Sequence, residues 1–219
     1  MPDKNEVTIK WLGHSCFLVY NDRIRIITDP YDETLGYPMP EVSAEVCLVS
    51  HEHFDHNYVS MVKGKPQVIR GTGEKEVSLI KFKGVASFHD AQEGSRRGKN
   101  TVFTWELGGI NFVHLGDLGT ELSSTQIKEI GPVDILFVPT GGIFTIDAVA
   151  ATRVVASLNP KVAIPMHYRM PFRKNDSLAA VDEFLKGKNN VVKVGKNSAS
   201  FSKNNLPEET TIYVLEYGK

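Results

Sequence analysis

The sequence predicts a single α/β domain in which short strands come first and strands alternate with helices later. Hydrophobic residues are 41% of the 219 residues and charged residues are 23%, which supports a sizeable core and excludes collagen, a coiled coil or a disordered tail. Short apolar runs between turn residues fill the first half, whereas helical periodicity begins after residue 120. Neither an internal repeat nor a linker divides the chain, so we expect residues 1–219 to form one domain.

Strands are predicted in the first half wherever a short apolar run is bounded by turn residues. These runs cover residues 7–12, 16–20, 24–28, 46–50, 67–69, 85–88, 101–107 and 110–115. Gly108 and Gly109 separate the last two runs, which indicates a β-hairpin. Residues 46–50 are apolar almost throughout, as expected of a strand that is covered on both faces.

Helices and buried strands alternate in the second half. A helix is predicted over residues 124–130, with Ser123 or Ser124 as its cap and Gly131 as its stop. A second helix is predicted over 147–158 with a cap near Thr145, and a third over 177–186. Residues 135–138 and 162–165 indicate buried strands, and residues 211–215 indicate an edge strand.

Composition also narrows the class of protein. The net charge is −1, so no overall basicity indicates nucleic acid or an anionic membrane as a partner. Cys16 and Cys47 are the only cysteines, too few for a disulfide framework. The first residues lack an apolar signal core, and no run of about 18 apolar residues occurs. We therefore expect a cytoplasmic protein without a membrane span or a nucleic-acid partner.

Three of the seven histidines lie in one six-residue window, His51-Glu52-His53-Phe54-Asp55-His56. Residues two apart on an extended segment point the same way, so His51 and His53 are placed to bind one ion. Asp55 and His56 follow at a turn, where they are placed to face a second ion. Imidazole and carboxylate ligands suit Zn, Mn or Fe. The alternative interpretation is a polar loop of solvated histidines.

Six residues cannot complete two coordination spheres, so further ligands must come from elsewhere in the chain. His89, Asp117 and His167 each follow a predicted strand, just as the histidine window follows residues 46–50. Sheets of α/β proteins place ligand sites beyond the carboxyl ends of their strands. We therefore expect these three side chains to meet the window at one edge of the fold.

The motif resembles the metallo-β-lactamase superfamily. The likeness runs from about residue 9 to 170 and is carried by the His51–His56 window, Asp29 before Pro30, Phe88-His89-Asp90, His114-Leu115-Gly116-Asp117 and Pro165-Met166-His167-Tyr168. Gly13-His14-Ser15 is similar to the branch of small metal-dependent hydrolases that includes ascorbate-6-phosphate lactonase and N-acyl-phosphatidylethanolamine phospholipase D. The resemblance implies a four-layer αββα sandwich with two divalent ions at one edge.

The resemblance also implies a ligand set and a reaction. One ion takes His51, His53 and His89, the other takes Asp55, His56 and His167, and Asp117 bridges them. Zinc is the first expectation, with manganese or iron as alternatives. The implied activity is hydrolysis of a small ester, lactone or phosphoester by a metal-bridging hydroxide. Asp55 or Asp117 is expected to accept the nucleophile's proton.

Two further histidines are candidate catalytic residues. His114 lies three residues before Asp117, and we expect it to position a ligand or transfer a proton; the alternatives are a metal ligand in place of His89 or a hydrogen-bonded core histidine. His14 lies in a turn after a strand, where the expected role is substrate contact or general acid, and the alternative is a local backbone hydrogen bond. Either histidine is placed to protonate the leaving group.

A cationic segment follows His89. Arg96, Arg97 and Lys99 lie in a glycine-containing loop, residues 94–100, beside the predicted metal site, so we expect them to bind an anionic group of a small-molecule substrate, although charge runs are often only solvated. Three alternative functions remain compatible with the same residues: a metal-dependent nuclease, a non-catalytic metal- or ligand-binding sensor, and an iron-dependent oxidase.

Overall fold

The computed structural model describes residues 5–38, 40–172 and 177–218. The strands are β1 (Val7–Gly13), β2 (Cys16–Tyr20), β3 (Arg25–Thr28), β4 (Val42–Ser43), β5 (Val46–Val49), β6 (Val62–Lys63), β7 (Gln67–Arg70), β8 (Gly73–Val77), β9 (Ile80–Phe88), β10 (Lys99–Leu107), β11 (Ile110–His114), β12 (Ile135–Pro139), β13 (Val162–Met166), β14 (Val191–Lys193), β15 (Ser198–Phe201) and β16 (Thr211–Val214). The α-helices are α1 (Ser124–Ile130), α2 (Ala148–Leu158) and α3 (Val181–Leu185).

Most strands belong to two large sheets. The first sheet has the order β15-β1-β2-β3-β5-β7, and the second has the order β14-β16-β13-β12-β11-β10-β9-β8, while β4 pairs only with β6. The chain passes from the first sheet to the second between β7 and β8. It returns through β15, which pairs antiparallel with β1. The first sheet therefore contains strands from both ends of the described chain, whereas the strands of the second sheet all begin at or after Gly73.

Successive side chains of a strand point to opposite faces of its sheet. One face of each sheet therefore packs against the other sheet, and the opposite face is free to pack elsewhere. In β12, Ile135 and Phe137 belong to the core between the sheets, whereas Leu136 and Val138 belong to a second core beneath the helices. The rings of Phe17 in β2 and Phe137 lie 4.4 Å apart and join the two sheets. The buried side chains of α1, α2 and α3 all belong to the second core, so these helices cover the outer face of the second sheet.

Local sequence signals are confirmed at the hairpin and the first helix. β10 and β11 pair antiparallel across the Gly108-Gly109 turn, and both glycines have positive φ. Ser123 caps α1 through a hydrogen bond from the Gln126 amide, and the Gln126 side chain accepts from the Ser123 amide, which makes a capping box. These features depend on neighbours in sequence, which explains why the sequence predicted them.

Three predicted elements differ from the structure. The third helix begins only at Val181. The Ala179 carbonyl accepts a hydrogen bond from Arg169 N, and Ala179 N donates to the Gly141 carbonyl, so Ala179 does not enter the helix. The second helix is capped by Asp147, whose carboxylate accepts from the Ala150 amide, and the predicted cap near Thr145 is wrong. β16 lies between β13 and β14, so the predicted edge strand is an interior strand.

The positions of the strand ends decide where functional side chains meet. His51 follows β5 of the first sheet, whereas His89, Asp117 and His167 follow β9, β11 and β13 of the second sheet. Asp29 follows β3 in the first sheet. Ligand-type side chains from both sheets therefore converge at one edge of the sandwich.

Candidate metal centre

The Asp117 carboxylate lies at the centre of a histidine cluster. Its Oδ2 is 3.1 Å from His89 Nε2, 3.2 Å from both His56 Nε2 and His167 Nε2, and 3.9 Å from His51 Nε2. All five side chains are buried. One carboxylate oxygen thus faces four imidazole nitrogens that come from both sheets.

Two groups of donor atoms meet at this carboxylate, and a third, overlapping group of His51, His56 and Asp117 joins them. His51, His53 and His89 form one group, in which His51 Nε2 and His53 Nδ1 are 3.1 Å apart. The second group contains His14, Asp55, His56 and His167. Within each group the donor atoms lie within 4.8 Å of one another. The structure brings together all seven residues of the implied ligand set and adds His14 to the second group.

Asp29 orients two of these histidines. Its carboxylate accepts hydrogen bonds from Ser50 N at 2.8 Å, Ser50 Oγ at 2.7 Å and His56 Nδ1 at 2.9 Å. Because the Ser50 hydroxyl donates its only proton to Asp29, His51 Nδ1 donates to Ser50 Oγ at 3.0 Å. Both imidazoles therefore present Nε2 to the cluster, as ligand histidines do when an outer carboxylate fixes their orientation.

Asp117 reaches the cluster because the chain turns sharply after β11. Gly116 has a φ of +55°, and a Cβ at this position would collide with Asn100 Oδ1. The same Asn100 oxygen accepts from Asp117 N at 3.0 Å. His14, Asp29 and His167 also have φ values between +41° and +52°. Such left-handed conformations cost about 1–3 kcal/mol each in non-glycine residues and concentrate at functional sites.

The electrostatics of the cluster favour neutral imidazoles at several positions. Burial lowers the pKa of His51 to about 3, and the neighbouring His56 adds to this effect. Burial, together with His167, lowers the pKa of His14 to about 4. Burial also disfavours a charge on His56, but the carboxylates of Asp117 and Asp29 outweigh it and raise the pKa of that residue. Uncharged imidazoles retain the lone pair that a metal ion requires.

These residues fit divalent metal ions. Asp117 Oδ1 is buried and finds no hydrogen-bond partner among the described residues. Leaving a buried carboxylate oxygen unpaired costs free energy, which a bound cation would offset. Neutral imidazole nitrogens and carboxylate oxygens are also the donors that zinc, manganese and iron accept in proteins.

The two remaining catalytic candidates lie in different surroundings. His14 Nε2 is 3.2 Å from Asp55 Oδ2, and the His14 ring lies 4.2 Å from that of His167, so His14 borders the cluster directly. His114 instead donates from Nε2 to the Ser15 carbonyl at 2.9 Å and accepts from Gly116 N at Nδ1. Both ring nitrogens of His114 are therefore occupied by backbone groups.

Of the three cations in the loop after His89, Arg97 lines three neighbouring cavities, whereas Lys99 and Arg96 line one each. Arg97 lines the cavity of about 500 Å³ that opens onto the cluster. Lys99 lines a cleft of about 690 Å³ between the two sheets, and Arg97 borders this cleft as well. Arg96 is exposed and lines a neighbouring depression of about 450 Å³. The structure thus places Arg97 alone of the three against the cluster cavity.

The apolar walls of the cluster cavity were not predicted from the sequence. Leu35, Phe54, Phe144 and Leu178 line it and come from four separate segments. Phe54 is 57% exposed. Its position inside the histidine window was the one feature of the sequence that could have indicated a place in the cavity wall. The other three residues become neighbours only in the folded chain.

Comparison with known proteins decides the family. A family model described as the beta-lactamase superfamily domain matches residues 8–167, which include the whole cluster. The chain belongs to the metallo-β-lactamase superfamily. The resemblance stated from the motif is therefore confirmed.

Relatives and solved structures agree with this assignment. The chain is 30% identical to a UPF0173 metal-dependent hydrolase of Carboxydothermus hydrogenoformans, with 73% of this chain and 84% of that protein covered. A Thermotoga maritima structure, described as a proposed Zn-dependent hydrolase of the metallo-beta-lactamase superfamily, is 40% identical with a TM-score of 0.80, covering 96% and 99% of the two chains. Igni18, a metallo hydrolase of Ignicoccus hospitalis, is 20% identical with a TM-score of 0.65 over 90% and 99%, which shows a shared fold.

These comparisons confirm the predicted fold and the predicted class of protein. The α/β metallo-β-lactamase fold is the fold of these structural neighbours, and the class of protein is a metal-dependent hydrolase. Among the described residues, no helix is long and apolar enough to cross a membrane.

Proposed function

We propose that this protein is a binuclear metal-dependent hydrolase that cleaves a small anionic ester, lactone or phosphoester. The observation that carries the proposal is the position of Asp117 Oδ2, within 3.9 Å of imidazole nitrogens from both donor groups. A carboxylate between two sets of histidines is the arrangement expected of a ligand that bridges two ions.

The ligand assignment follows the two donor groups. His51, His53 and His89 would hold one ion, and Asp55, His56 and His167 the other, with Asp117 between them. Zinc is the proposed metal, with manganese or iron as alternatives, because imidazole and carboxylate donors admit all three. When bound, such ions lower the pKa of water toward neutrality and polarise the oxygen of the substrate.

Asp55 is the residue proposed to move the proton. Its side chain is 19% exposed at the cavity, and its Oδ2 accepts a hydrogen bond from His14 Nε2. The carboxylate would accept the proton of the attacking water and return it to the leaving oxygen, while His14 holds the carboxylate in place. For His114 the geometry supports a positioning role, since neither of its ring nitrogens faces the cavity.

Metal analysis of the freshly purified protein tests this proposal. Elemental mass spectrometry of the wild type should give about two equivalents of metal, since the cluster offers two donor groups. His89→Ala should lower this content, because its Nε2 is one of the donor atoms. His114→Ala is the matched control and should retain it. One equivalent or fewer in the wild type, or a loss with His114→Ala alone, would contradict the binuclear assignment.

The same preparation separates the alternative functions. The metal-loaded protein is assayed against carboxylic esters, lactones and phosphoesters, and Asp55→Asn should abolish turnover of the substrate that is cleaved. Redox-active iron as the only metal would favour the oxidase, and cleavage of RNA alone would favour the nuclease. A protein that binds two ions and cleaves none of these compounds would favour the sensor.

A further inference from the structure

We infer that the substrate joins an apolar group to an anionic group and that the two groups bind in two adjoining cavities, both of which border the proposed metal cluster. This inference rests on the proposed hydrolytic function and names the substrate class. The two cavities share Glu52, His53 and Arg97 at their boundary, so one molecule can extend through both past the cluster.

The first cavity provides apolar contacts. Leu35, Phe54, Phe144 and Leu178 line it, opposite the cluster residues. Phe54 is 57% exposed and Phe144 is 37% exposed, so both large rings contribute apolar surface at the mouth. Burying such surface against a hydrocarbon group is favourable, which explains why two phenylalanines at the mouth would favour an apolar substituent over a sugar.

The second cavity provides positive charge. It lies between β5 and β7 of the first sheet and β9 and β10 of the second, and its lining includes His51 and His53. Arg70, Arg97 and Lys99 also line it. Among the described residues of this lining, Glu52 is the one carboxylate, and it pairs with Arg70 at 2.9 Å. Two cations therefore remain for an anionic group of the substrate, such as a carboxylate or a phosphate.

Arg97 is held at the junction of the two cavities. The Asp90 carboxylate accepts hydrogen bonds from the backbone amides of Gln92, Gly94, Arg96 and Arg97, at 2.7 to 3.0 Å. The Arg97 guanidinium also lies 4.5 Å from the centre of the Phe144 ring. A side chain that is ordered before binding loses less conformational entropy when it pairs with an anion. Arg97 is therefore the residue expected to determine specificity for the anionic group.

Calorimetric titration of the metal-loaded protein with an uncleavable probe tests the inference. The probe is an ether analogue of an ester, in which a carboxylate is joined through an ether oxygen to a hexyl chain. Two variants of the probe remove one feature each: an amide replaces the carboxylate, or an ethyl chain replaces the hexyl chain. The matched protein variants are Arg97→Gln with the control Lys128→Gln, and Phe54→Ser with the control Leu79→Ser.

Each protein variant should affect only one half of the probe. Arg97→Gln should weaken binding of the carboxylate probe about tenfold and leave the amide probe within twofold, because only the charged hydrogen bond is lost. Phe54→Ser should weaken binding of the hexyl probe about fivefold but not that of the ethyl probe, because only apolar contact is lost. Lys128 and Leu79 are exposed, and neither lines the two cavities, so their variants should match the wild type.

Failure of this inference and failure of the proposed function are distinguishable. If Arg97→Gln binds the carboxylate probe as tightly as Lys128→Gln does, the carboxylate is bound by the metal cluster and the inference is overturned, even if esters are hydrolysed. Equal losses for the hexyl and ethyl probes in Phe54→Ser would overturn the apolar half. If Arg97→Gln and Phe54→Ser both differ from their controls as expected but no ester, lactone or phosphoester is cleaved, the inferred binding geometry is supported and the hydrolytic proposal fails.

Discussion

Asp29 accepts a hydrogen bond from His56 Nδ1 at 2.9 Å, and both side chains are fully buried. The bond leaves His56 Nε2 directed at Asp117, so a residue outside the proposed ligand set orients one of the proposed ligands. Asp29 also holds Ser50, which in turn bonds His51. One carboxylate therefore supports ligands of both donor groups.

Asp29→Asn should weaken metal binding about 10- to 100-fold, the usual effect of losing an outer carboxylate. Asn accepts the left-handed backbone at this position, where φ is +41°, so the change removes charge without forcing a new conformation. Competition with a chromophoric chelator measures the affinity. Asp22→Asn, at an exposed turn, is the control, and equal affinities for the two variants would refute the role of Asp29.

Removal of the metal should lower the melting temperature. A ligand that binds only the folded state stabilises it by about 2.7 kcal/mol at a free concentration 100 times its Kd. Scanning calorimetry with increasing chelator should therefore show a falling Tm for the wild type and a much smaller fall for His89→Ala. A wild-type Tm that does not respond to the chelator would mean that the cluster contributes no metal-linked stability.

His114→Ala should destabilise the fold while retaining the metal. The buried imidazole bridges the Ser15 carbonyl and the Gly116 amide, so its loss leaves a cavity and unpaired backbone groups, at about 2–4 kcal/mol. Urea unfolding of the metal-free protein measures this loss. His53→Ala is the reciprocal control, since its exposed side chain should affect metal content more than metal-free stability. Metal loss without destabilisation in His114→Ala would contradict the positioning role.

Asp90→Asn should loosen the loop that carries Arg97. Each oxygen of the Asp90 carboxylate accepts hydrogen bonds from two backbone N–H groups. In Asn one oxygen is replaced by an NH₂ group, which cannot accept, so at least two of the four hydrogen bonds should be lost. Hydrogen exchange followed by mass spectrometry should show faster exchange across residues 92–97, by about tenfold or more. Glu106→Gln, on the exposed side of β10, serves as the control. Unchanged exchange in Asp90→Asn would show that the loop is ordered by other contacts.

Features that depend on neighbouring residues could be predicted from the sequence. The capping box of α1, the glycine hairpin between β10 and β11 and most of the strands follow from short-range propensities. The start of α3 could not be predicted, because backbone hydrogen bonds from Ala179 to distant segments compete with the helix. The interior position of β16 was equally inaccessible, since the strand order of a sheet depends on long-range pairing.

The sequence by itself determined the types of the proposed ligands and their place after strands, because the alternation of side chains on a strand and the chemistry of imidazole and carboxylate are local properties. The tertiary structure decided which residues surround them. It placed Arg97 alone of the three loop cations at the cluster cavity, and it assigned His114 to the backbone instead of the cavity. The two sheets meet at one edge, and only this brings Phe54, Phe144 and the inter-sheet cleft next to the proposed metal cluster. Such contacts join residues far apart in the chain, and no sequence period records them.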